Sequence, residues 1–153
     1  MVFDRKQAEE NFDNFLMIMD DQLENLKDTA EKNQIALDYS LRDLENLEKL
    51  FDIVSQDLPK DELSKMVVFF ARYLGELMIN RNGGKWTIPL DNEKNINFNT
   101  PVITGHSPIE GLEFAPISTM RAYALRRKKG TLRRSYDANV NPIAVDIDHL
   151  IEE

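Results

Sequence analysis

Few residues of this chain have the type and spacing that catalysis or metal binding requires. The two histidines are His106, in Gly105-His106-Ser107-Pro108, and His149, beside Asp146 and Asp148. One histidine with two carboxylates can hold a metal, but a terminal segment is a poor rigid platform. The expectation there is a solvated tail and no metal site. Ser107 beside His106 is no triad, because triad members meet in space rather than as sequence neighbours. There is no cysteine, which removes disulfides, thiolate metal sites and a cysteine nucleophile. Among the many acids, Glu76 is the one expected to be buried, since it follows Gly75 within an apolar run. An ion pair with Arg72 at i−4, or with Arg81, is favoured over a catalytic carboxylate. An enzyme with an acidic site near Glu76 stays as an alternative, with no catalytic residue, metal or cofactor assigned.

The pair Gly83-Gly84, followed by Trp86, invites comparison with a phosphate loop. Such a loop needs a strand before it, a helix after it and a Lys-Ser/Thr on the phosphates. Here a helical run precedes the glycines, so the loop would face a helix C-terminus, whose dipole repels anions. The glycines are expected to cap a helix through a left-handed residue. Trp86 is then expected to pack back on that helix.

The segment from Arg121 to Arg134 carries seven Lys/Arg and no acid. Arg126, Arg127, Lys128, Lys129, Arg133 and Arg134 can contact phosphates, with Tyr123 or Tyr136 for stacking. The competing reading is a helix C-terminus with dipole-matched cations that pair with acids of the N-terminal helix or of a partner. The sequence pI near 4.8 argues against non-specific nucleic-acid binding, so charge pairing is the favoured reading.

The net charge of −8 is unevenly spread. Residues 1 to 62 hold seventeen acids against seven Lys/Arg, and the stretch from Ser135 holds five acids and no Lys/Arg. A length of 153 residues suits one domain, and 42% hydrophobic content is enough for a core. No apolar run approaches the roughly 20 residues of a membrane-spanning helix. The N-terminal sequence lacks a signal-peptide pattern, so no membrane association and a cytoplasmic location are expected.

These groups need elements to hold them. Phe12, Phe15, Leu16, Met19, Leu23, Leu26 and Ala30 predict one amphipathic helix over about 6–32. It can dock within the monomer or pair with a second copy as a homodimer. Ile35, Leu37 and Tyr39 alternate as in a short strand. Ser40 with Asp43 resembles a capping box ahead of a second helix, 41–55. Pro59 starts a third helix, the most apolar and hence central, that ends at the glycines. Trp86, Ile88 and Leu90 suggest a strand, with a second at 101–104 and a shorter one near Phe114. Ser118 is expected to cap a fourth helix to about Lys129, with Ile117, Met120, Ala124 and Leu125 inward.

Tyr73, Gly75, Glu76, Gly83, Gly84 and Trp86 form a Y-x-G-E-x6-G-G-x-W pattern. With Leu37–Ser40 before a leucine-rich helix, it resembles a loose set of small uncharacterised bacterial α+β proteins, some of them immunity-type. The likeness covers about residues 35–130 and brings no catalytic residue. It implies an immunity, antidote or regulatory role. The whole reading is one α+β domain of about four helices on a small, mostly antiparallel sheet. Residues 1–33 form an acidic helix, 34–130 the core and 131–153 a tail. The expected function is a non-enzymatic interaction protein with a protein partner. A nucleic-acid-associated regulator using 121–134 is the alternative.

Overall fold

The apolar stripes fold into helices arranged around one long central helix. The structure, a computed structural model, describes residues 3–141. In chain order these form α1 (Arg5–Met17), α2 (Met19–Lys32), α3 (Asp43–Val54), α4 (Lys60–Asn82), β1 (Lys85–Thr87), β2 (Val102–Thr104), α5 (Pro116–Arg126) and α6 (Thr131–Val140). The α+β class holds, but four helices is an undercount: the described residues form six.

The extra helices have physical causes. The expected first helix is broken at Ile18 into α1 and α2. Arg72 of α4 donates Nη1 to the Phe15 carbonyl at 2.5 Å, and its guanidinium lies 3.9 Å from the centre of the Phe15 ring. A side chain that captures a carbonyl of the ladder is a known cause of a helix break. Both halves bury side chains, Ala8 and Phe15 on α1 and Leu23, Leu26 and Ala30 on α2. Each buried leucine contributes about 1.5–3 kcal/mol, against about 0–1 kcal/mol for an exposed ion pair. The acidic helix is therefore held by its apolar stripe.

The strand expected at Ile35–Tyr39 does not form. The alternation is real, with Ile35, Leu37 and Tyr39 half-buried and Gln34, Ala36 and Asp38 exposed. No strand partner lies beside it among the described residues, and residues with positive φ, Gln34 and Tyr39, close both ends. Ser40 does not cap α3 with its hydroxyl, which has no partner among the described residues. The return half of the box is not built either: the Ser40 N–H goes to Asp38 Oδ1 at 3.1 Å, and the Asp43 carboxylate accepts from the N–H groups of Asp38 and Tyr39 at 2.9 and 2.8 Å.

The central helix α4 starts after Pro59, with Asp61 and Glu62 in its first turn at the positive end of the dipole. It buries Phe70, Ala71, Tyr73, Leu74, Leu77 and Met78 completely, and packs against α2, α3, α5 and β2. Beyond it, β1 and β2 pair antiparallel, with Trp86 opposite Ile103. Phe114 adds a single bridge to Ile103.

The last third departs most from expectation. α5 begins with Pro116 rather than at a Ser118 cap, and ends at Arg126 because Arg127 is left-handed, φ 51°. Pro116, Ile117, Met120 and Tyr123 are its buried residues, while Leu125 is 77% exposed instead of inward. Two residues past Tyr123 is about 200° around a helix. The expected tail also begins too early, since residues 131–140 form α6 with Leu132 and Tyr136 buried in the common core. His149, Asp146 and Asp148 lie outside the described residues.

Candidate functional site

The residues singled out in the sequence gather into two assemblies. The first surrounds Trp86. α4 ends at Gly83, whose N–H makes the last helical bond, to the Ile79 carbonyl at 2.8 Å, and whose φ of 80° then turns the chain away. Gly84 follows with φ 100°, and a Cβ there would stand 2.6 Å from the Thr104 carbonyl oxygen and 2.9 Å from the His106 nitrogen. Gly83 meets open space and is called for by its positive φ alone, whereas Gly84 is called for by its φ and by the close approach to β2. The reversal lays the indole of Trp86 across α4 at Gly75, where any Cβ would overlap the ring. Trp86 Nε1 donates to Glu76 at 2.7 Å, and Phe15 meets the indole edge-on at 5.0 Å between centroids.

The ion pair expected for Glu76 is not present. Arg72 points the other way, to Phe15, and burial lowers its pKa from the ordinary value. Arg81 donates to the Tyr39 carbonyl at 3.4 Å. Tyr73 faces α3, donating to Asp43 Oδ2 at 2.5 Å and accepting from the Tyr39 N–H at 3.0 Å. The rings of Tyr39 and Tyr73 stack at 4.7 Å. Burial first, and then the hydrogen bond to Asp43, push the Tyr73 phenol well above its usual range. It therefore stays a donor at any ordinary pH. Together these contacts tie the segment before α3 and the β1 corner onto α4.

The second assembly joins the basic segment to α3. Arg127 pairs with Asp52 at 3.1 Å and covers the Phe51 ring at 4.8 Å. Tyr123 donates to the same carboxylate at 2.9 Å; burial and that contact raise its pKa. Glu48, buried, accepts from the N–H groups of Gly130 and Leu132, both at 3.0 Å. A carboxylate at the start of α6 meets the positive end of its dipole and satisfies otherwise orphaned donors. Arg133 reaches Glu45 at 3.2 Å and the Leu41 carbonyl at 3.3 Å. The pairing is thus with α3 and not with the acidic N-terminal helix. Arg126, Lys128, Lys129 and Arg134 remain exposed and form no ion pair among the described residues.

Sequence reasoning named Asp43 only for a capping box and missed Glu45, Glu48 and Asp52. The last three recur at steps of three and four, so they share a stripe on α3 beside its leucines. That stripe is the signal that could have flagged them. His106 is only 6% exposed, with Nε2 3.1 Å from Asn139 Oδ1 and Nδ1 without a partner among the described residues. Burial lowers its pKa from the ordinary histidine value. Two depressions of about 460 and 420 Å³ run beside Gln34, Ile35 and Ala36, and neither is lined by Glu76, Trp86, His106 or the basic segment. Among the described residues no three His, Asp or Glu gather as a metal site, and no helix is long and apolar enough to cross a membrane. In comparisons with known protein families, with curated proteins and with solved structures, nothing matches this chain.

Proposed function

We propose that the chain is a non-enzymatic interaction protein that binds a protein partner through charged helical faces. The observation that carries this reading is how its acids are used. Asp43, Glu48, Asp52 and Glu76, through buried or half-buried contacts, hold one element to another. By contrast Glu9, Glu10, Asp13, Asp20, Asp21, Glu24, Asp28 and Glu31 are exposed along α1 and α2 and form no ion pair among the described residues. A face of that sign favours fast, specific docking of a basic protein. The likeness to immunity-type proteins points the same way, and a bacterial, cytoplasmic setting belongs to the proposal. A second reading, nucleic-acid contact by the outward cations of the basic segment, is favoured by their lack of acid partners.

The test is affinity capture from the native host at low salt, with three baits: the native chain, an acidic-face variant (Asp13→Asn, Asp20→Asn, Glu24→Gln) and a basic-face variant (Arg126→Ala, Lys129→Ala). The expected result is a basic protein retained by the native bait, released by salt and lost with the acidic-face variant. Identical captures on all three baits would remove the basis for the proposal.

A further inference from the structure

Two faces of this molecule carry unpaired charge of opposite sign, and each has an apolar centre. On the outer face of α5 and the link after it, Arg121, Arg126, Lys128 and Lys129 are exposed and form no ion pair among the described residues. Leu125, in their midst, is 77% exposed. Glu10 and Asp13 on α1 and Asp20 and Glu24 on α2 are exposed at steps of three and four within each helix, and Leu16 and Met17, 39% and 77% exposed, fall between the two pairs in the chain. An apolar centre inside a charged rim is the usual anatomy of a protein interface.

The two faces do not neutralise each other within one chain. Among the described residues no ion pair joins them, and both remain exposed. The pairs that do form in the basic segment, Arg127–Asp52 and Arg133–Glu45, consume acids of α3 and leave the α1–α2 acids untouched.

We infer that the α5 face of one copy docks on the α1–α2 face of a second copy. This rests on the reading that these faces are docking surfaces, and it names the occupant. A second copy matches both faces in sign and places Leu125 against Leu16 and Met17. Because two different patches meet, the contact is heterologous. Each added copy leaves one face of each sign free, so association continues past the dimer unless the rotation closes a ring.

The experiment is sedimentation or light scattering on the full chain, from micromolar to several hundred micromolar. Two variants carry surface changes only: a basic-face variant (Leu125→Ser, Arg126→Ala, Lys129→Ala) and an acidic-face variant (Met17→Ser, Asp13→Asn, Asp20→Asn). Circular dichroism checks that both are folded. The native chain is expected to rise in mass with concentration. It should fall back to monomer as salt goes from about 0.01 M to about 1 M, where the Debye length shrinks from about 30 to about 3 Å. Each variant alone stays monomeric, but their mixture forms a 1:1 pair, since each supplies the face the other lacks. A native chain that is monomeric throughout overturns the inference, as does a mixture that stays monomeric. A basic-face variant that still dimerises overturns it too, because it points to a two-fold contact through α1. None of these outcomes touches capture of a basic partner by the acidic face, so the two proposals fail separately.

Discussion

At the scale of single residues, Gly75 poses a contest between two effects. Alanine is better than glycine in a helix by about 1 kcal/mol. Overpacking a filled site costs about 1–3 kcal/mol. Here a Cβ would overlap the indole of Trp86, which Glu76 and Phe15 hold in place. Overpacking therefore wins, and Gly75→Ala should lower the urea midpoint and shift the emission of the sole tryptophan. A higher midpoint would sink this account of the corner. His106 makes a second case. Burial depresses its folded pKa, so folding favours the neutral ring. Its contribution is intact above the unfolded pKa of about 6.5 and is lost as pH falls through the lower folded value. Between about pH 7.5 and 5, stability should fall in the native chain and fall less in His106→Gln. NMR titration of the ring gives the direct check, and a ring that titrates above its ordinary value would reverse the sign.

Elements show where local sequence stops being informative. α4 was legible because its stripe is long, Pro59 starts it and Gly83 ends it, all within the segment itself. The helix, glycine cap and strand around Trp86 were legible for the same reason. α6 was not, since only Leu132 and Tyr136 are buried along it and the carboxylate at its N-terminus comes from Glu48 on α3. The break at Ile18 likewise depends on Arg72 from another helix. The unpaired segment at Ile35–Tyr39 shows the converse: alternation reports one buried side, and says nothing of a strand partner. The role given to Glu48 has a measurable consequence. Glu48→Ala leaves the N–H groups of Gly130 and Leu132 without acceptors, a loss of about 1–3 kcal/mol. Hydrogen exchange should quicken in α6 well before α4. Unchanged protection of α6 amides would mean that Leu132 and Tyr136 alone hold the helix.

For the molecule as a whole, the balance of charge sets what can approach the basic segment. Its seven Lys/Arg sit in a chain of net charge −8. Two of them, Arg127 and Arg133, are paired with α3, so the outward set is smaller than the sequence suggests. A polyanion must also enter the field of the α1–α2 carboxylates, which are exposed and unpaired among the described residues. If Arg126, Lys128, Lys129 and Arg134 did engage duplex DNA, affinity would fall with salt by a log–log slope of about −0.9 per neutralised phosphate. The opposing field argues that this binding stays no tighter than the roughly 10⁻⁴ to 10⁻⁶ M of ordinary non-specific binders at physiological salt. Gel-shift titration across a salt series is the measurement. A sub-micromolar, salt-steep shift, abolished by changing Arg126, Lys128 and Lys129 to Ala, would transfer the basic face from a protein partner to nucleic acid. A shift that survives those changes would place the contact elsewhere on the surface.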